Sequence, residues 1–127
     1  MEENGVVSIW FRDSLSKDDL ELNTKIYYDD DDNISLSKFF LDFSIDIDEV
    51  DEDFIEIEFL DFYSENIERL LSGCSYYEKI INNLKKSQNM ILKSKVNSVI
   101  LIYNFNFTQL NRPNNSDFKY FDTVSYI

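Results

Sequence analysis

Residues 96–107 read Val96-Asn97-Ser98-Val99-Ile100-Leu101-Ile102-Tyr103-Asn104-Phe105-Asn106-Phe107, and this run decides the fold. β-Branched and aromatic residues dominate it and no Gly or Pro interrupts it, which is the composition of a strand. Alternation along a strand puts Val99, Leu101, Tyr103, Phe105 and Phe107 on one face and Ile100 and Ile102 on the other. An apolar centre on both faces predicts a central strand covered, at least in part, from both sides.

The rest of the chain supplies neighbours for that strand. Downstream, the polar run Asn111-Arg112-Pro113-Asn114-Asn115 reads as a turn or loop. Phe118 to Tyr126 reads as a last strand, paired antiparallel with its predecessor. Upstream, Val6 to Arg12 (VVSIWFR) is a short strand, with Trp10 expected in the core. Phe54 to Asp61 is another, with Ile55, Ile57 and Phe59 pointing one way and Glu56 and Glu58 the other. Between these strands, apolar residues fall at helical spacing. Ser16 is placed to cap a short acidic helix, Lys17 to Asn23. Lys25 to Tyr28 is a brief extended piece and Asp29 to Asn33 a polar break. Ser35 is placed to cap a helix carrying Leu36, Phe39, Phe40 and Phe43. Ser44 to Asp53 alternates apolar and acidic residues and reads either as a loop or as a ragged edge strand. Ile67, Leu70 and Leu71 form the apolar edge of a further helix, with Gly73 placed to end it in the left-handed conformation. Ser75-Tyr76-Tyr77-Glu78 has the spacing of a capping box ahead of the stripe Tyr77, Ile80, Ile81 and Leu84. The order β-α-(α)-β-α-α-β-β predicts an α+β fold: a mainly antiparallel sheet of about four strands with helices packed on one face. With 127 residues and neither a repeat nor a composition break, residues 1–127 are expected to form one domain.

Charge narrows the function. The net charge is −13, from 25 acidic and 12 basic residues. Residues 1–68 hold 22 acids against 4 bases, whereas residues 69–127 hold 3 acids against 8 bases. Such a field repels nucleic acid and anionic membrane and attracts basic partners. No apolar run approaches the length of a membrane span, and the start Met1-Glu2-Glu3-Asn4 is acidic where a signal peptide would be basic. One cysteine cannot form an internal disulfide. The protein is accordingly expected to stay in the cytosol.

The same composition argues against catalysis. The chain has no histidine, so Ser–His and Cys–His nucleophile pairs cannot form within it, and the commonest metal ligand is missing. Cys74 has no identifiable base and reads as a buried structural thiol. Neither glycine lies in a phosphate-cradling pattern. Asp29 to Asp32 lacks the glycine of a calcium loop, and Phe40 stands where its bidentate Glu belongs. No catalytic residue, cofactor or metal is expected. Tyr76 falls off the stripe that contains Tyr77, so it is a candidate exposed aromatic, a type enriched at interface hot spots.

Four stretches carry a family resemblance: Val7-Ser8-Ile9-Trp10; Phe39-Phe40-Leu41-Asp42-Phe43 leading into Asp51-Glu52-Asp53-Phe54-Ile55-Glu56; Leu70-Leu71-Ser72-Gly73-Cys74-Ser75-Tyr76; and Ser98 to Phe105. In this order and spacing, from about residue 5 to residue 107, the chain resembles the immunity protein 22 family of bacterial polymorphic toxin systems. It departs from the family pattern after the tryptophan, where Phe11-Arg12-Asp13 replaces an expected glycine. The resemblance implies a non-enzymatic α+β protein that binds and neutralises a toxin in the cell producing it. The charge suits that role, because a nuclease toxin must be basic to hold phosphates. The partner expected is therefore a cognate, basic protein toxin. Asp46, Asp48, Asp51, Glu52, Asp53, Glu56, Glu58 and Tyr76 are the candidate partner-binding residues, with Asp29 to Asp32 as an extension. They would either block the toxin's active site by mimicking phosphates or bind beside it. The alternative is a non-catalytic regulatory or interaction module with another protein partner.

Overall fold

The computed structural model describes residues 2–31, 33–107 and 115–127. Asp32 and residues 111–114 of the expected polar loop lie outside them. In chain order the elements are β1 (Glu2–Arg12), α1 (Lys17–Thr24), β2 (Ile26–Tyr28), β3 (Ile34–Leu36) and α2 (Lys38–Asp42). Two 3-10 turns follow, Ile47–Glu49 and Glu52–Phe54, then β4 (Ile55–Asn66), α3 (Ile67–Leu71), α4 (Tyr77–Lys85), β5 (Ile91–Phe105) and β6 (Phe118–Ser125).

The fold is α+β. β4, β5, β1 and β6 form an antiparallel four-stranded sheet in that order, and β2 pairs with β3 in a separate hairpin. β5 is central, as its two-sided apolar pattern requires. Its edges are taken by β4 and β1, so β6 adds to the free edge of β1 rather than to β5, its predecessor in sequence.

Helices cover both faces of the sheet, not one. On the first face, Val99 and Leu101 of β5 and Val7, Ile9 and Phe11 of β1 pack with Ile67, Leu70 and Leu71 of α3 and with Ile80, Ile81 and Leu84 of α4. On the second, Trp10, Ile100, Ile102 and Phe118 pack with Leu20 of α1 and with Phe39, Phe40 and Phe43 around α2. Trp10 is wholly buried and meets the rings of Phe39, Phe43, Phe107 and Tyr120 at centroid distances of 5.0–5.7 Å. Each such large apolar side chain contributes about 1.5–3 kcal/mol on burial. Two apolar faces on β1 and β5 therefore demand two helical layers.

Phe105 and Phe107 depart from the expected face. They join Ile100 and Ile102 on the second face, whereas Tyr103 stays on the first with Val99 and Leu101. The cause is Asn104, whose φ of 60° breaks the alternation, and β1 answers with a register shift between Glu2 and Val7.

The stripes of α3 and α4 fall where expected. Of Leu36, Phe39, Phe40 and Phe43 only Phe39 and Phe40 are helical, Leu36 lying in β3 and Phe43 just after α2, and several helix ends also differ. Ser16 caps α1, its side chain accepting the Asp19 amide. Ser35 lies in β3, and the residue ahead of α2 is Ser37, which makes no side-chain cap bond. Ser44 to Asp53 is neither strand nor plain loop, because it holds the two 3-10 turns. Gly73 does not take the left-handed conformation; Tyr76 does, at φ 59°. The capping box is consequently not formed. Tyr76 occupies the position before α4, and the Ser75 amide is drawn instead to the Glu56 carboxylate on β4. Among the described residues no helix is long and apolar enough to cross a membrane.

Candidate functional site

The two 3-10 turns explain part of the acidic run. The first amides of a helical turn lack intrahelical acceptors, and a preceding Asp supplies one. Asp46 accepts the Asp48 amide at 2.9 Å, and Asp51 accepts the Asp53 amide at 2.9 Å. Asp46, Asp48, Asp51, Glu52 and Asp53 are all exposed. Glu52 also accepts the hydroxyl of Tyr28, which ties the second turn to the β2–β3 hairpin. Asp29 closes that hairpin, accepting the amides of Asp31 and Asn33 at 2.9 Å each, and the Asn33 bonds hold its carboxyl below the ordinary value.

Glu56 and Glu58 follow on β4, half-buried on the face that carries α3 and α4. Glu56 Oε1 accepts the Tyr103 hydroxyl at 2.8 Å and the Ser75 amide at 3.2 Å, and Oε2 lies 3.4 Å from the same amide. The Tyr103 hydroxyl is also within donating distance of the Ser75 carbonyl oxygen, 3.0 Å away. Burial pushes the Tyr103 hydroxyl pKa well above its ordinary value, and the bond to Glu56 and its charge push it further. Tyr103 is thus a fixed donor, and Glu56 an anchored anion.

Beside Glu56 the chain turns through Tyr76, whose left-handed backbone presents an exposed ring. That ring lies 4.8 Å from Tyr126 and 5.8 Å from Tyr103, which are themselves 5.1 Å apart and edge to face. The Tyr126 hydroxyl donates to Asn104 Oδ1 at 2.7 Å, and the same oxygen accepts the Gly5 amide at 2.9 Å. The kink in β5 therefore holds one wall of the site. Asp53, Phe54, Ile55, Glu56, Ser75, Tyr76, Tyr103 and Tyr126 line a cleft of about 380 Å³.

Cys74, the residue before Ser75 of the cleft, is buried. Burial, reinforced by the negative charges of Glu56 and Glu58, pushes its thiol up to about 12. It is a poor nucleophile at neutral pH.

Of the eight residues singled out, the cleft gathers Asp53, Glu56 and Tyr76. Asp51 and Glu52 sit on the turn leading into it, Glu58 lies two residues further along β4, and Asp46 and Asp48 belong to the other 3-10 turn. Sequence reasoning missed Tyr103 and Tyr126, which read as strand residues. The one signal for them was the polar Asn104 directly after the apolar run Val99 to Tyr103. A family model described as Immunity protein 22 matches residues 7–126. No curated protein and no solved structure matches the chain.

Proposed function

The chain belongs to the immunity protein 22 family, and from that premise we propose that it neutralises a cognate toxin by docking the acidic end of its sheet onto a basic, nuclease-type toxin domain. The observation that carries this reading is the cleft at the start of β4, where an exposed Tyr76 stands beside the carboxylates of Glu56 and Asp53. A rigid aromatic with an adjacent anchored charge has the make-up of an interface hot spot. The exposed acids on the 3-10 turns ahead of β4 supply long-range attraction. Opposite fields of this kind raise association from an ordinary 10⁵–10⁶ to about 10⁸ M⁻¹s⁻¹ at low salt. A cell that makes its own toxin benefits from that speed. The protein acts by binding, not by catalysis.

The test is co-expression with the toxin domain encoded beside its gene. Growth should be restored by the native chain. A variant carrying Asp51→Asn, Asp53→Asn, Glu56→Gln and Glu58→Gln should associate more slowly, with a flatter dependence on salt. Association kinetics that match the native chain at every salt concentration would move the interface elsewhere, and failure to protect would remove the toxin reading.

A further inference from the structure

We infer that the cleft receives a single arginine side chain of the partner, its guanidinium lying on the Tyr76 ring and paired with the Glu56 carboxylate. This deepens the toxin-binding reading and rests on it. Glu56 is half-buried, and among the described residues no lysine or arginine pairs with it. Three other partly covered acids have a base, Asp19 with Arg12 at 3.1 Å, Asp42 with Lys38 at 2.8 Å and Glu68 with Lys85 at 2.9 Å, whereas the half-buried Glu58, Glu65 and Asp122 have none among the described residues. What sets Glu56 apart is the aromatic cleft that it lines. A carboxylate drawn out of water without a counter-charge is an unfavourable arrangement that an incoming cation relieves. Oε1 is already engaged by the Tyr103 hydroxyl, whereas Oε2 has only the long 3.4 Å approach of the Ser75 amide. It retains the capacity to accept from a partner.

The aromatic wall selects the kind of cation. A guanidinium can stack flat on a ring while its N–H fork reaches a carboxylate, and an ammonium is a compact, strongly hydrated charge that does neither as well. Tyr76 is placed for stacking by its left-handed backbone and by contact with Tyr126, whose hydroxyl is tied to Asn104. Phe54, exposed at the edge of the cleft, offers apolar contact to the aliphatic stem. Asp53 lies beside it and is exposed, so it adds attraction but little specificity. The volume of about 380 Å³ lies near the lower end for small-ligand pockets and suits one long side chain.

Titration of the full chain with N-acetyl-arginine methylamide, followed by NMR of the tyrosine ring signals, tests this. The expected result is saturable shifts at Tyr76, Tyr103 and Tyr126, weaker ones with the lysine analogue, and none with the citrulline analogue, which keeps the shape and loses the charge. Glu56→Gln should weaken the arginine response about tenfold. Tyr76→Leu, which leaves the carboxylate in place, should weaken it as well and serves if Glu56→Gln does not fold. Equal shifts from arginine and citrulline, shifts confined to other residues, or an undiminished response in Tyr76→Leu would overturn the inference. The two levels separate cleanly. Protection from the toxin without arginine binding removes this inference alone; arginine binding without protection removes the toxin as the source of that arginine.

Discussion

Asn104 does more for this molecule than its polarity suggests. At φ 60° it takes a conformation that costs most L-residues about 1–2 kcal/mol, and Asn less than most because its short side chain can bond locally. Its Oδ1 then accepts two hydrogen bonds, from the Gly5 amide and the Tyr126 hydroxyl. One residue therefore turns β5, fixes the start of β1 and holds a ring of the cleft. Asn104→Ala loses both the tolerated backbone and the two bonds and should destabilise by about 2–3 kcal/mol. Asn104→Gly keeps the backbone freedom and should cost about 1–2 kcal/mol. Urea unfolding of the pair checks the ranking; an Ala variant as stable as the Gly variant would mean the backbone conformation is not the constraint. This residue also marks the limit of reading the strand from its alternation. From Val99 to Tyr103 the period of two assigns faces correctly. Past Asn104 it assigns Phe105 and Phe107 to the wrong one, because the pattern carries no record of a break. The site was half-legible for the same reason. Glu56 and Tyr76 announced themselves by charge and by falling off an apolar stripe, while Tyr103 and Tyr126 looked like ordinary strand residues.

The helix α2 shows how little intrinsic helicity an element needs when its apolar side is buried. It has five residues and no side-chain cap, yet Phe39 and Phe40 within it and Phe43 just after it are almost wholly buried against Trp10 and Phe118. Packing, not propensity, holds it. That is why the stripe Leu36, Phe39, Phe40, Phe43 was visible in advance while the cap was misplaced. Burial pattern extends over several residues, whereas a cap depends on one backbone angle. Its C-terminal end is built with equal economy. The Ser44 amide donates to the Leu41 carbonyl at 3.2 Å and the Ile45 amide to the Phe40 carbonyl at 3.0 Å, with Ile45 and Phe40 in the same apolar cluster. This is the Schellman arrangement, in which the position of Ser44 favours glycine. Ser44 sits there at φ 52° and is exposed. Ser44→Gly should stabilise the protein by about 1 kcal/mol, the strain released exceeding the entropy lost in the unfolded chain. A shift of the urea midpoint to lower concentration would show that the strain at Ser44 is negligible.

Charge works against this molecule when it is alone and, under the proposed docking, for it when a basic partner is near. With a net charge of −13, and 22 of 25 acids in residues 1–68, like charges crowd the half that contains the 3-10 turns and β4. Self-repulsion of this kind lowers the stability of the compact state. Among the described residues few cations offset it: Arg12 reaches Asp19 and Asp117, and Lys38 and Lys85 each pair with one acid. The lysine pairs are partly exposed and contribute little, so their loss on screening is small. Salt should therefore stabilise the free protein. Raising ionic strength from 0.01 to 0.15 M shortens the screening length from about 30 to about 8 Å, enough to decouple acids on neighbouring elements while sparing direct contacts. The expected gain is about 1 kcal/mol, a Tm rise of roughly 3–6 °C for a chain of this size. The same change of salt should slow association with a basic toxin, because steering decays over the same length. Thermal unfolding and stopped-flow association, measured across one salt series, should thus move in opposite directions. A Tm that falls as salt rises would mean that the internal ion pairs outweigh the repulsion, and the acidic half would then no longer count as a surface held at a cost to folding for the sake of its partner.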